Sequence, residues 1–198
     1  MSHLPSENSL PRSPELMNAH DTALLVIDVQ EKIMRAIAGS ATLVWNIRRL
    51  IDGAGILGVP VEATEQAPEK LGPTVESLRS RLPEAKSKLA FSCGERGEIA
   101  GDWQANGLHR VLLCGVETHV CVQQTAFDFM AAGFRVYAAV DALGSRNAID
   151  HQTALRRLES GGVTLTTCEA ALTEWAVRAG TEQFKKISAL AKEHAPKS

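Results

Sequence analysis

At 198 residues with 44% hydrophobic content, the chain is long enough for one well-cored domain and short for two. A formal net charge of −2 with no basic stripe argues against a nucleic-acid partner, and no apolar run approaches the roughly 18 residues that cross a bilayer. Four cysteines, Cys93, Cys114, Cys121 and Cys168, show no CxxC spacing, so they read as free thiols of a cytoplasmic protein and not as a disulfide framework or a zinc site.

In chain order, residues 1–20 carry Pro5, Pro11 and Pro14 among Ser, Asn and Glu without an apolar h-region. They read as a flexible, polar N-terminal leader, which sets a single domain at 21–198. Residues 23–27 form a continuous apolar run ending at Asp28, the pattern of a strand buried on both faces. Leu43, Val44, Ile47, Leu50, Ile51 and Leu57 then recur at helical spacing. A second strand is predicted at 59–64, with Pro60 near its start where a missing N–H is tolerated. A short helix follows over 73–81, a weaker strand runs up to about Lys88, and 94–105 has moderate helical character.

The second half is clearer. Residues 110–116 are a strong buried strand, and Thr118 is placed to cap a helix that runs to about Ala132 and closes at Gly133. Residues 134–140 form a strand ending on Asp141, 150–160 a helix ended by Gly161 and Gly162, and 163–166 a final strand. One or two helices complete the chain, the last around 182–192. Strands alternating with helices predict a three-layer, doubly wound (Rossmann-like) parallel sheet of about six strands. Ligands bind such sheets outside the carboxyl ends of the strands.

Three reactive side chains fall there: Asp28 after the first strand, Lys88 at the end of the third, and Cys121 after the fourth. With Thr118 as cap, Cys121 stands in the first helical turn, where free N–H groups and the helix dipole favour a thiolate. A lysine nearby lowers the thiol pKa further, and a carboxylate takes the thiol proton and returns it to a leaving group. Backbone N–H groups at Glu117 and Cys121 suit an oxyanion hole. The alternatives are plainer. A lone cysteine after a strand is more often a small buried hydrophobe. Asp28 alone resembles a strand-end polar residue or a metal-binding acid, although no GxxxxGK[ST] phosphate cradle occurs. Residues 53–58 match GxGxxG, yet they follow a helical pattern and lead into a strand, the reverse of the dinucleotide-binding order, so Gly58 reads as a helix terminator. His109, His119 and His151 are scattered and define no metal site; Trp103, Trp175, Phe127 and Phe129 read as core or interface residues.

Residues 25–30 (LVIDVQ), 88–92 (KLAFS) and 115–122 (GVETHVCV) resemble the isochorismatase-like cysteine hydrolase family, a resemblance that covers about 21–180. It implies a doubly wound sheet and an Asp–Lys–Cys triad at Asp28, Lys88 and Cys121. It also implies a cis peptide between Val116 and Glu117 that turns a backbone N–H toward the oxyanion, with Glu117 and Cys121 as the donors. Residues 64–74 are similar to the isochorismatase domain-containing branch. Nicotinamidases of the same superfamily hold a metal on Asp and His after the second strand, whereas this chain has Glu62, Glu65 and Gln66 there and no histidine, so neither a metal nor a cofactor is expected. The implied function is hydrolysis of a small amide or related C–N bond through a thioester, with Gln66 and Phe91 in the pocket wall. A thiol-based redox sensor or scaffold with the same fold and little turnover is the alternative. Family members commonly form dimers or larger assemblies, so a homo-oligomer is expected; the face with Phe127, Phe129 and Met130 is either the contact or helix core, and spacing favours core.

Overall fold

The apolar runs at 23–27 and 111–116 lie side by side at the centre of a parallel sheet in the computed structural model, which describes residues 10–196. Its six strands among those residues are β1 (Thr22–Ile27), β2 (Val61–Gln66), β3 (Lys86–Lys88), β4 (Arg110–Val116), β5 (Arg135–Gly144) and β6 (Thr164–Thr166). All pairings are parallel, in the order β3-β2-β1-β4-β5-β6. The order reverses between β1 and β4, and a crevice opens there at the carboxyl ends of the strands.

The helices are α1 (Glu31–Met34), α2 (Ser40–Leu57), α3 (Pro68–Leu71), α4 (Glu76–Arg79), α5 (Gly97–Ala105), α6 (Gln123–Ala131), α7 (Ala148–Ser160), α8 (Cys168–Ala176) and α9 (Glu182–Ala191). The period-two alternation of a strand divides the core into two layers. Leu24, Val26, Leu112 and Cys114 face α2, α8 and α9 on one side. Ala23, Leu25, Ile27, Val111 and Leu113 face α5, α6 and α7 on the other. Both faces being covered explains why β1 is buried at every position.

Close approach of β1 to β4 depends on one glycine. Gly115 has φ of +120°, and a Cβ there would lie 2.1 Å from the Ile27 carbonyl oxygen. Residues 53–58 lie in α2 and its terminator, with Gly58 at φ +74°. Phe129 is buried and packs against Trp103 and Phe134 at centroid distances of 6.0 and 5.3 Å, which makes that face of α6 core. Phe127 and Met130 are half-buried against the same cluster.

Three expectations need correction. The 73–81 segment is helical only over α4, and two short helices, α1 and α3, went unread because four-residue turns carry no periodicity. β5 continues past Asp141 to Gly144 through a register shift against β4 at Leu113/Gly115, an irregularity that interrupts the apolar pattern. The stretch read as a flexible leader is docked over much of its described length. Met17 is fully buried, its N–H donates to Glu174 Oε2 at 2.8 Å, and Tyr137 Oη donates to the Glu15 carbonyl at 2.7 Å. Those contacts pair backbone groups of residues 15–17 with side chains far along the chain, which composition does not register; residues 1–9 lie outside the described residues.

Candidate active site

The turn out of β1 places the first side chain. Asp28 adopts φ of +54°, a left-handed conformation that Asp tolerates better than most residues, and its N–H donates to the Thr64 carbonyl at 3.1 Å. The carboxylate is sealed from water. Its Oδ1 accepts from Thr64 Oγ1 at 2.9 Å and its Oδ2 from Lys88 Nζ at 2.8 Å, with both charged side chains 0% exposed. A buried ion pair persists only when its remaining protons find acceptors. Lys88 Nζ meets that demand with Gln66 Oε1 at 2.7 Å, the Phe91 carbonyl at 2.9 Å and, more loosely, the Ala90 carbonyl at 3.3 Å. Burial pulls the Lys88 pKa down, but the charge of Asp28 overcomes it and the net direction is up, so Lys88 is an ammonium.

A surrounding set of bonds holds these partners. Gln30 Oε1 accepts from the Gln66 N–H at 2.8 Å, and Gln30 Nε2 donates to the Gln66 and Gly72 carbonyls at 3.1 and 2.6 Å. Gln66 Nε2 donates to the Leu89 carbonyl at 2.7 Å, which leaves its Oε1 aimed at Lys88. Glu95 Oε2 accepts from the Leu89 and Ala90 N–H groups at 2.7 and 3.0 Å, so the 88–91 segment turns its carbonyls toward the ammonium. Those two backbone bonds also hold the Glu95 carboxyl below its usual range.

Cys121 enters from β4. Between β4 and α6 the chain forms one wide turn over Thr118–Val122, with Val122 N–H donating to the Glu117 carbonyl at 3.2 Å. The peptide joining Val116 and Glu117 is cis. Thr118 does not cap the helix: its hydroxyl donates to the Gly144 carbonyl at 3.0 Å, so the Nδ1–H of His151, 2.9 Å away, is the donor to Thr118. Cys121 Sγ lies 4.0 Å from Gln66 Oε1, the side chain that also accepts from Lys88.

The surroundings of Cys121 work against the low-pKa thiolate expected from its position. Burial raises the Cys121 pKa well above that of a free thiol, the Asp28 charge adds to the rise, and Lys88 only partly opposes it. The charge count explains this: Asp28 and Lys88 already neutralise each other, so a thiolate adds an uncompensated negative charge to a dry site. Alkylation of Cys121 by iodoacetamide is therefore expected to keep accelerating from about pH 6 to about pH 9, as for a thiol at or above its unperturbed pKa. A rate that levels off near neutrality would show a preformed thiolate instead.

Cys121 and Gln66 line a cavity of about 420 Å³ walled by Ile33, Ala36, Leu71, Val120 and Phe91, the last 53% exposed. The other thiols stand away from it. Cys93, 3.5 Å from Thr64 Oγ1, is fully buried and pushed up to about 11, and Cys114 and Cys168 are buried in the opposite core layer. Among the described residues no group of three or more His, Cys, Asp or Glu is arranged to hold a metal. Glu65, near the carboxyl end of β2, is occupied by the Thr74 N–H and hydroxyl at 2.6 and 2.8 Å. Asp28, Lys88, Cys121, Gln66, Phe91 and Glu117, named from the sequence, all meet at this place. Thr64 in β2, Lys32 in α1, Glu95 and Arg146 are single polar residues that carry no periodic pattern, and the sequence does not mark them; Gln30 has a signal in its place after the first strand but no role assigned from it.

A doubly wound sheet with its cavity at the switch point of strand order places the chain among the Rossmann-like α/β proteins. The Isochorismatase domain matches residues 22–170, and the chain belongs to the isochorismatase family. Mouse isochorismatase domain-containing protein 2A is 38% identical over 177 residues, covering 88% of this chain and 84% of its own length. The structure of MAR1 ribonuclease from Caenorhabditis elegans superimposes with a TM-score of 0.84 at 34% identity, over 92% of this chain and 95% of that one. The YcaC gene product of Escherichia coli, an octameric hydrolase of unknown specificity, shares the fold at a TM-score of 0.82 and 22% identity, over 91% and 92% of the two chains. No helix among the described residues is long and apolar enough to cross a membrane.

Proposed function

We propose that this protein is a metal-independent cysteine hydrolase that cleaves a small amide or related C–N bond through a thioester at Cys121. The observation that carries the proposal is a single cavity-lining thiol set against a fully buried Asp28–Lys88 pair. Asp28 takes the thiol proton as Sγ attacks the carbonyl carbon, and the carbonyl electron pair moves onto oxygen. Backbone N–H groups at Glu117 and Cys121, both on the cavity lining, receive that oxygen. The C–N bond then breaks, and the amine departs with the proton held by Asp28. In the second half water attacks the thioester carbon and gives a proton to Asp28; the C–S bond then breaks, Asp28 returns that proton to Sγ, and the carboxylic acid product leaves. Lys88 remains an ammonium throughout, so the site never carries more than one unpaired charge, and no metal is called for to supply positive charge.

Four free thiols suit a reducing compartment, and the cytoplasm is part of the proposal. So is self-assembly, which the octameric E. coli protein of the same fold supports; sedimentation is expected to give a multiple of the 21.3 kDa chain, and a single-chain mass would remove this part. The decisive experiment is a screen of small amides with intact-mass detection. The expected result is an acyl adduct on Cys121 that forms and then decays. A stable oxidised thiol without any acyl adduct across the library would favour a redox sensor. RNA cleavage lost in Cys121→Ala would replace the amide reading by the activity that the C. elegans relative is named for.

A further inference from the structure

Asp28 is held at its two oxygens by two different kinds of donor. Oδ2 takes the ammonium of Lys88 at 2.8 Å, and Oδ1 takes the hydroxyl of Thr64 at 2.9 Å. Thr64 lies in β2 and is 1% exposed. Its carbonyl also accepts from the Asp28 N–H at 3.1 Å, so the two residues are joined through backbone and side chain at once. A second thiol meets Thr64. Cys93 Sγ is fully buried 3.5 Å from Thr64 Oγ1, and the Cys93 N–H donates to Thr125 Oγ1 at 2.9 Å. The Thr64 hydroxyl has one proton, and the ionised carboxylate of Asp28 can only accept it. Cys93 is therefore the donor to Thr64, and burial, which pushes its pKa up to about 11, keeps that proton in place. The chain from Cys93 S–H through Thr64 O–H to Asp28 Oδ1 thus runs in one direction, and each bond polarises the next. Neither Thr64 nor Cys93 takes part in the steps written for Cys121.

We propose that Thr64 is a positioning residue for the general base, its hydroxyl aimed by Cys93 so that the Asp28 carboxylate is held at one angle through both proton transfers. The inference rests on the cysteine-hydrolase reading above and deepens it. An aspartate carboxylate turns easily about its last side-chain bond, because that torsion has broad wells. The bond from Lys88 fixes one oxygen and leaves the other to swing; the bond from Thr64 on the second oxygen stops it. A hydroxyl suits a group that has to gain and lose a proton. It restrains the carboxylate without adding a charge, whereas a second cation in its place would hold the anion too firmly for proton uptake. Release of the acyl group depends on it most, because water has to be aligned and deprotonated as it attacks.

The test uses p-nitrophenyl acetate as acyl donor, so it needs no known substrate. Cys121 Sγ attacks the acetyl carbon, Asp28 takes the thiol proton, and the C–O bond breaks with its electron pair leaving on p-nitrophenolate. Asp28 gives that proton to solvent. Water then attacks the thioester carbon with loss of a proton to Asp28, the C–S bond breaks, and acetic acid leaves as the proton returns to Sγ. Decay of the acetyl adduct on Cys121 is read by peptide mass. Thr64→Val, which keeps the shape and removes the hydroxyl, is expected to slow that decay about 30-fold, the scale of a misaligned general base. Thr64→Ser, which restores the hydroxyl, is expected to stay within about threefold of the parent. Cys93→Ala, which leaves the Thr64 hydroxyl free to turn, is expected to slow decay about threefold, and an unchanged rate removes Cys93 from the proposal. Hydroxylamine attacks a thioester without a base and is expected to clear the adduct from Thr64→Val as fast as from the parent. Thr64→Ala makes the same comparison if near-ultraviolet circular dichroism shows that Thr64→Val does not fold. Decay in water as fast in the folded variant as in the parent overturns the inference and leaves Cys121 a nucleophile. Equal slowing toward water and hydroxylamine also overturns it, because it marks a distorted site. An adduct that never forms on Cys121 of the parent, or that decays undiminished in Asp28→Asn, overturns the cysteine-hydrolase reading itself.

Discussion

Cys121→Ala is expected to lower amide turnover by at least about 10,000-fold, because without the nucleophile only substrate binding and oxyanion contacts remain. The fold should survive. Cys121 loses one sulfur atom at a cavity-lining position, and neither the Asp28–Lys88 pair nor the Gln30–Gln66 bonds pass through it. Cys121→Ser is expected to fall nearly as far: a hydroxyl gives up its proton less readily than a thiol, and burial makes that worse. Cys168→Ala, in the core layer on the far side of the sheet, is the control and should keep its turnover if it folds. The measurement is amine release on a substrate found by the adduct screen, alongside near-ultraviolet circular dichroism. Undiminished turnover by Cys121→Ala with intact structure would end the mechanism.

Lys88→Met is expected to destabilise the protein by about 3–5 kcal/mol, because it strands a carboxylate that is 0% exposed without its counter-charge. The effect is asymmetric. Asp28→Asn leaves the ammonium with Gln66 Oε1 and the Phe91 carbonyl as acceptors, and so costs less. Combining Asp28→Asn with Lys88→Met removes both charges and is expected to recover much of the stability lost in Lys88→Met, while neither single variant nor the pair turns over substrate. Urea denaturation with an amide assay separates the two quantities. A Lys88→Met protein as stable as its parent would mean that Asp28 is not held as a buried carboxylate. The pair would then lose its place in the proton transfer.

Much of the architecture was legible because both faces of the sheet are covered. The runs at 23–27 and 111–116 are apolar without interruption, and the intervening 3.6-residue periodicity of α2 marks a layer of helix. What went unread obeys no period. The turns of α1 and α3 are too short, and the extension of β5 depends on a bulge. The docking of Met17 depends on Glu174, far along the chain. The site divides the same way. Asp28, Lys88 and Cys121 stand at strand ends where chemistry is expected, and their flanking motifs resemble a known family. The thiol pKa was misread because helix position and lysine proximity are visible in sequence, whereas the desolvation that outweighs them is not. Lys32 and Arg146 reach one cavity only through the fold, so nothing local marks them.

Gly115, with the Ile27 carbonyl pressed where its side chain would be, ties β1 to β4 at the level from which Asp28 and the Cys121 turn depart. The reacting groups are thus anchored in the segment that opens last, and amide hydrogens there should exchange only when the whole molecule unfolds. Lys32 and Arg146, by contrast, project from a four-residue helix and a surface loop. Drift in the rim can therefore retune which molecules are accepted without loosening the groups that react, and descendants of such a scaffold can diverge in diet while inheriting one chemistry.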